Sequence, residues 1–251
     1  MRALMLAAGL GRRLFGDENK NLPKGLLRFN GESLIARHIK FLQYFGVESL
    51  TLVVGHRRND LVNEALAIAK DGFIDWVHNP RYREGPILSL VMGAEVLQSG
   101  NDVLFMDADV LYHPDLLRNL LGSPHSNSLL IDRIIRSDDD PVKICLRNDR
   151  IVDFGKIIDV EYDEECEWPG FMKMDGRIAY LVLEAAKSII AKGEIEGAYE
   201  RAFSGVLRSE PEGTFNYVDI TDIPWIEIDY PSDLEKAKGQ IFPSISNVAN
   251  G

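Results

Sequence analysis

Arg12 and Lys24 are the residues of this chain whose types and spacing best suit chemistry on a run of phosphates. They stand near the two ends of a glycine-rich stretch, LAAGLGRRLFGDENKNLPKGLL, from Leu6 to Leu27. An arginine offers phosphate a planar fork of donors and a lysine a compact point charge, so a pair converging from both ends of one loop suits a triphosphate. Ala7, Ala8, Gly9 and Gly11 remove side-chain bulk where the loop begins, which lets backbone approach a ligand closely. Pro23 stiffens the chain just before Lys24. The stretch is neither GxxxxGK[ST] nor GxGxxG, since Arg12, Arg13 and Leu14 follow the second glycine. A solvated surface loop is the competing reading of the cluster Arg12, Arg13, Lys20 and Lys24. The other reactive side chains form no comparable pattern. His38, His56, His78, His113 and His125 lack metal-ligand spacing and read as surface or loop residues, while Cys145 and Cys166 read as small buried side chains.

Positioning such a loop falls to apolar runs of strand length that alternate with amphipathic stretches: ALMLAAG, ESLIARHIKFLQYFG, LTLVVG, NDLVNEALAIAK, FIDWVHN, PILSLVMGAEVLQSG and DVLFMD. The short runs are nearly continuous, as suits strands covered on both faces, and the longer segments repeat apolar residues at helical spacing. The pattern predicts an α/β fold with a doubly wound, mostly parallel, Rossmann-like sheet, which binds ligands at the carboxyl edge of its strands. Gly46 reads as a helix stop, and Pro86 and Pro114 as helix starts. After residue 126 the pieces shorten to SLLIDRII, PVKICLRN, RIVDFGK and WPGFMKM, separated by the acidic turns SDDD and DEEC. Helical patterns return in DGRIAYLVLEAAKSIIAKG and AYERAFSGVL, and the strand-like WIEIDY precedes a last helix, PSDLEKAK. This second half reads as a small substrate-binding extension that returns to the same sheet.

Composition narrows the partners. The net charge of −11 argues against DNA or RNA, whose binding depends on basic patches that release counterions. No apolar run approaches the roughly 20 residues of a membrane span, and the opening residues lack the apolar region and cleavage site of a signal peptide. The chain reads as cytoplasmic, without membrane insertion, and a homodimer is left open.

LAAGLGRRL followed by LPKGLL resembles the double signature of the nucleotidyltransferases that join a nucleoside triphosphate to a phosphorylated small molecule. Three further segments extend the resemblance. VLFMDADVLYHP looks like that family's acidic segment, which implies that Asp107 and Asp109 face the metal and the reacting phosphates. PWIEIDYPSDLEKA looks like the segment that returns a second acidic group, Glu227 or Asp229, to the same metal. EGPILSL lies where relatives place a turn and helix start beside the base, which makes Gly85 and Ser89 candidates for nucleotide contacts. The resemblance thus implies a nucleotide site of Leu6, Ala7, Ala8, Gly9, Gly11, Arg12, Gly85, Ser89 and Asp107, with Mg²⁺ held by Asp107, Glu227 and Asp229. It implies that Arg12 holds the leaving phosphates and that Lys24 sits near the α-phosphate. The expected organisation is one domain over 1–251, with a nucleotide-binding half at 1–125, an acceptor-binding half at 126–240 and a loosely held tail at 241–251.

Within that superfamily, MDAD and WIEID resemble the cytidylyltransferases that use CTP and act on small phospho-alcohols or phosphonates. The acceptor pocket is expected from Asp109, Lys156, Glu167, Tyr199 and Glu200, with Trp168 alongside. Carboxylates beside aromatic faces suit a quaternary or primary ammonium. Phosphocholine, phosphoethanolamine, 2-aminoethylphosphonate and inositol phosphate all stay open as acceptors. A sugar-1-phosphate nucleotidyltransferase using UTP, dTTP or GTP is the neighbouring alternative, and a non-catalytic nucleotide-binding protein is the alternative of another class.

Overall fold

The computed structural model describes residues 1–16, 21–136, 141–196 and 198–246. Lys20 and the SDDD turn lie outside the described residues. A seven-stranded sheet runs through the molecule in the order Asn216–Asp219, Ser128–Ile131, Phe171–Met174, Val103–Asp107, Arg2–Ala7, Ser49–Val54, Ile74–His78. Only Phe171–Met174 is antiparallel to its two neighbours, and the other adjacent pairs are parallel. The mostly parallel sheet expected from alternating strand-like and helical runs is therefore present.

Both faces of the sheet are covered, as the near-continuous apolar strands require. On one face Leu4, Val53 and Phe105 pack with residues of the helices Pro86–Met92, Gly176–Ala191 and Glu200–Ser209. On the other, Ala3, Met5, Leu52 and Met106 pack with residues of Leu34–Tyr44, Arg58–Ile68 and Pro114–Gly122. Strand residues alternate in direction, so neighbours such as Leu4 and Met5 belong to opposite cores. Gly46 follows the helix Leu34–Tyr44 with a φ of 76°, and Pro86 and Pro114 each open a helix. The amphipathic stretch after Pro86 is not one helix. It breaks at Gly93, where a Cβ would lie 2.6 Å from a methyl of Leu4, so a larger residue would have to displace the Leu4 side chain within the core.

The second half departs from expectation in three places. DEEC is not a turn: Glu164–Glu167 pairs with Lys143–Arg147 as part of a small antiparallel sheet that also contains Arg150–Gly155. A charge pair between its strands supports it, with Lys143 Nζ 2.8 Å from Glu165, and Arg133, from outside the small sheet, is bonded to Glu164. NYVD, which carries no obvious strand signal, forms the outermost strand, Asn216–Asp219. The tail is not loosely held as far as Ile245, which is 4% exposed and joins a cluster with Phe29, Leu34 and Ile228, while Phe242 packs against Phe29. Residues 247–251 lie outside the described residues. Among the described residues, no helix is long and apolar enough to cross a membrane.

Candidate active site

A cleft of about 580 Å³ opens at the carboxyl ends of the central strands Arg2–Ala7 and Val103–Asp107. This is where an open α/β sheet presents ligands to its loops. Leu6, Ala7, Ala8, Gly9, Gly11 and Arg12 line it from the first strand, Gly85 and Ser89 from the helix start, and Lys24 from a single 3₁₀ turn, Lys24–Leu26. Asp107, Asp109, Glu227 and Asp229 form an acidic wall, and Lys156, Trp168, Tyr199 and Glu200 enter from the second half.

One antiparallel ladder builds the acidic wall. Trp225–Glu227 pairs with Val110–Tyr112 so that Glu227 lies opposite Val110, and the Ile228 amide donates to Asp109 O at 3.0 Å. Distant sequence segments therefore deliver Asp109, Glu227 and Asp229 together, each offering an oxygen within 4.8 Å of the others. Asp109, expected both to face the metal and to help take the acceptor, belongs to this cluster. Asp107, expected in it, does not: its Oδ2 accepts the Tyr199 hydroxyl at 2.5 Å and its amide donates to Gly170 O at 3.1 Å. The reason is geometric, since Asp107 ends its strand beside the antiparallel Phe171–Met174 while Asp109 has turned toward the C-terminal ladder.

Lys24 Nζ lies 2.9 Å from Asp109 and is also bonded to Asp229, whose other oxygen meets Arg13 at 2.7 Å. Burial alone would lower the Lys24 pKa, but Asp109 and Asp229 outweigh it and hold the ammonium above its ordinary range. Burial pushes the Asp107 and Glu227 carboxyls well above the usual carboxylate range, reinforced in both cases by Asp109. Three converging carboxylates are hard oxygen donors of the kind that hold divalent magnesium-like ions, and their crowding favours a cation among them. The donor set therefore fits a divalent metal.

At the end of the cleft expected to take the acceptor, Tyr199 and Trp168 pack with Phe105 and Phe203 at centroid separations of 5.1 to 6.4 Å. The Trp168 indole donates to Phe171 O at 2.9 Å, so this residue is both core and cleft wall. Glu200, at the first position of its helix, is buried, and Lys156 follows the strand Arg150–Gly155. Glu167 is a correction. It does not line the cleft but is buried on the far side, where its carboxylate accepts the Arg136 amide at 2.5 Å. Trp168 faces the cleft, and adjacent residues of an extended chain point to opposite sides.

Among the histidines, His56 and His113 lie in loops as expected, though buried, and His38 is a correction, buried within the helix Leu34–Tyr44. His38 lies 3.2 Å from the Tyr112 hydroxyl and 3.3 Å from Ala108 O, between the two aspartates of the central loop. It falls four residues after Leu34 and four before Leu42 on the apolar face of its helix, a signal the sequence carried. Cys145 and Cys166 are buried as expected.

The MobA-like NTP transferase domain family matches residues 3–146. The chain is 28% identical over 97% of its length to CMP-5'-(3-aminopropyl)phosphonate synthase of Streptomyces rubellomurinus. It is 29% identical over 94% of its length to the bifunctional IPC transferase and DIPP synthase of Thermococcus kodakarensis. The chain spans 39% and 50% of the length of these two relatives. The inositol-1-phosphate CTP transferase of T. maritima superposes with a TM-score of 0.74 at 23% identity, covering 100% of this chain and 96% of that one, a likeness of fold. With more than half of its length matched and the sheet, glycine-rich loop and acidic wall in place, the chain belongs to the MobA-like NTP transferase domain family.

Proposed function

We propose that the protein transfers a cytidylyl group from CTP to a small phosphorylated or phosphonate acceptor that carries an amine, releasing pyrophosphate with the help of Mg²⁺. The observation that supports this most is the meeting, in one cleft, of Lys24 and Arg13 with the carboxylates of Asp109, Glu227 and Asp229. An acceptor phosphoryl oxygen attacks the α-phosphorus, a new P–O bond forms, and the bond to the β-phosphate breaks with its electrons leaving on pyrophosphate. Both reactants are anions, so positioning and charge compensation dominate the barrier. A divalent ion held by Asp109, Glu227 and Asp229 supplies positive charge to the phosphates when bound. Lys24 offers its ammonium to the reacting group, and Arg12 and Arg13 bind and orient the leaving phosphates. No nucleophilic side chain is required, because the acceptor oxygen is already ionised at neutral pH.

Residues 1–125 hold the nucleotide in this reading, and residues 126–240 contribute most of the acceptor pocket, in the cytoplasm. Asp107, Glu200 and the faces of Tyr199 and Trp168 suit an ammonium group. The aminopropylphosphonate in the name of the Streptomyces relative supports the same class. Pyrophosphate release measured with four nucleotides against 2-aminoethylphosphonate, phosphocholine, phosphoethanolamine, inositol phosphate and glucose-1-phosphate tests it. Fastest turnover with CTP and an amine-bearing acceptor is expected. Faster turnover with UTP and glucose-1-phosphate would overturn the reading in favour of a sugar nucleotidyltransferase.

A further inference from the structure

The helix Leu34–Tyr44 turns a polar ring into the core: His38 is 1% exposed and shares its buried face with Leu34, Ile35, Ile39 and Leu42. A leucine would fill that space without burying two ring nitrogens, so the nitrogens need partners, and both have one. Nε2 lies 3.3 Å from the Ala108 carbonyl oxygen and Nδ1 lies 3.2 Å from the Tyr112 hydroxyl. A carbonyl oxygen carries no hydrogen, so Nε2 is the protonated nitrogen and donates to Ala108 O. Burial keeps the ring neutral, which leaves Nδ1 a lone pair and makes the Tyr112 hydroxyl its donor. The tautomer and the direction of both bonds follow from these two partners.

The two partners stand at either end of the segment that carries Asp109. Ala108 O belongs to the peptide that continues into the Asp109 amide, and a peptide is a rigid plane, so a bond to its oxygen limits how the Asp109 backbone can turn. Tyr112 lies opposite Trp225 in the ladder that sets Val110 opposite Glu227. Between the two contacts, Asp109 reaches Lys24 at 2.9 Å and offers an oxygen to the cluster with Glu227 and Asp229. Asp107, one residue before Ala108, accepts from Tyr199 instead. We propose that His38 is a positioning residue for the acidic wall: one neutral imidazole spans Ala108 and Tyr112 and holds Asp109 on the side of Glu227 and Asp229. His38 does not line the cleft, so it acts from behind the wall, through the backbone of the central loop. The inference rests on the reading of Asp109, Glu227 and Asp229 as a divalent-ion site, and it adds to that site a residue that contacts none of the three carboxylates.

The test is the binding of Mn²⁺ alone to the folded protein, followed by the paramagnetic resonance of the free ion. His38→Leu keeps the apolar bulk and removes the donor to Ala108 O, and the Mn²⁺ dissociation constant should rise by about tenfold or more. His38→Gln carries an amide N–H at the reach of Nε2 and should recover most of that loss. Tyr112→Phe keeps its ring, removes the second contact and should give a smaller rise. Asp109→Asn sets the scale for losing a carboxylate, and circular dichroism melts verify that each variant is folded. Should His38→Leu fold poorly, Tyr112→Phe and the ring ¹⁵N shifts of histidine-labelled wild type still test the inference, the latter by showing His38 neutral and protonated on Nε2. Mn²⁺ binding unmoved in His38→Leu and Tyr112→Phe, equal losses in His38→Leu and His38→Gln, or a proton on Nδ1 would overturn the inference alone. No Mn²⁺ binding by the wild type, or binding that Asp109→Asn leaves unchanged, would overturn the metal-site reading and this inference with it.

Discussion

The Tyr199 hydroxyl donates to Asp107 Oδ2 across 2.5 Å, joining the start of a helix in the second half of the chain to the end of a central strand. Burial, and then the Asp107 carboxylate, push the Tyr199 hydroxyl well above its usual pKa, so it remains a donor at any working pH. Tyr199→Phe keeps the aromatic face and removes only that donor. The expected result is a loss of about 1–2 kcal/mol in urea denaturation and a rise of about tenfold in acceptor KM, with CTP KM unchanged. Steady-state kinetics with each substrate varied in turn checks the split.

Gly170 makes the Asp107 position available. Its φ is +87°, and a Cβ there would lie 2.9 Å from Asp107 Oδ2 and 3.2 Å from Asp107 Cβ. Gly170→Ala should lower kcat/KM by more than its cost in stability explains. Gly213 provides the control, with a φ of +86° and nothing within 4 Å of an added Cβ. Gly213→Ala should cost about 1–2 kcal/mol of backbone strain and leave the specific activity of the folded fraction unchanged. Equal kinetic effects in the two variants would contradict a role for the Gly170 contact.

In the proposed reaction Lys24 and Asp109 divide the work on the phosphates. A charge that acts more strongly on the transition state than on bound substrate appears in kcat, so Lys24→Ala should lower kcat by about 10²–10³-fold and change CTP KM far less. Asp109→Asn should instead shift the divalent-ion titration of activity upward, by about tenfold or more. Lys24→Ala with normal turnover, or Asp109→Asn with an unmoved ion titration, would remove these assignments.

What the sequence shows of this site depends on whether partners are local. Arg12, Lys24 and the MDAD segment were legible because the glycine-rich loop and the strand end each lie within one contiguous stretch. The mostly parallel sheet was legible for the same reason, since its strands other than Asn216–Asp219 carry apolar runs of their own. The place of Asp109, and not Asp107, beside Glu227 and Asp229 was not, because it is decided by the pairing of Trp225–Glu227 with Val110–Tyr112 across more than a hundred residues. Glu167 was misplaced because its orientation follows from the pairing of Glu164–Glu167, in a segment whose acidic composition suggests a turn. The strand Asn216–Asp219 exists through its neighbour Ser128–Ile131, and tertiary pairing overrode a weak local preference there.

His38 carries a pH dependence. Burial pulls its pKa down from 6.5 to about 3, so the native state keeps the ring neutral. Between those values the unfolded chain binds a proton that the native chain refuses, so this contribution is fully present above about pH 6.5 and is lost as pH falls toward 3. Urea denaturation should show the wild type losing about 2 kcal/mol more than His38→Asn between pH ~7 and pH ~5. Identical losses would mean that His38 is not held neutral beside Ala108 and Tyr112.

In the proposed reaction an acceptor oxygen attacks the α-phosphorus of CTP in the cleft lined by Lys24, Asp109, Glu227 and Asp229. The most direct measurement uses 2-aminoethylphosphonate carrying heavy oxygen on its phosphonyl group, with CTP and Mg²⁺, and analyses both products by mass spectrometry. The expected product is a CMP-linked phosphonate that retains every heavy oxygen, one of them in the new bridge, together with unlabelled pyrophosphate in equal amount. Heavy oxygen in the pyrophosphate, or release of pyrophosphate with free CMP and no linked product, would contradict it.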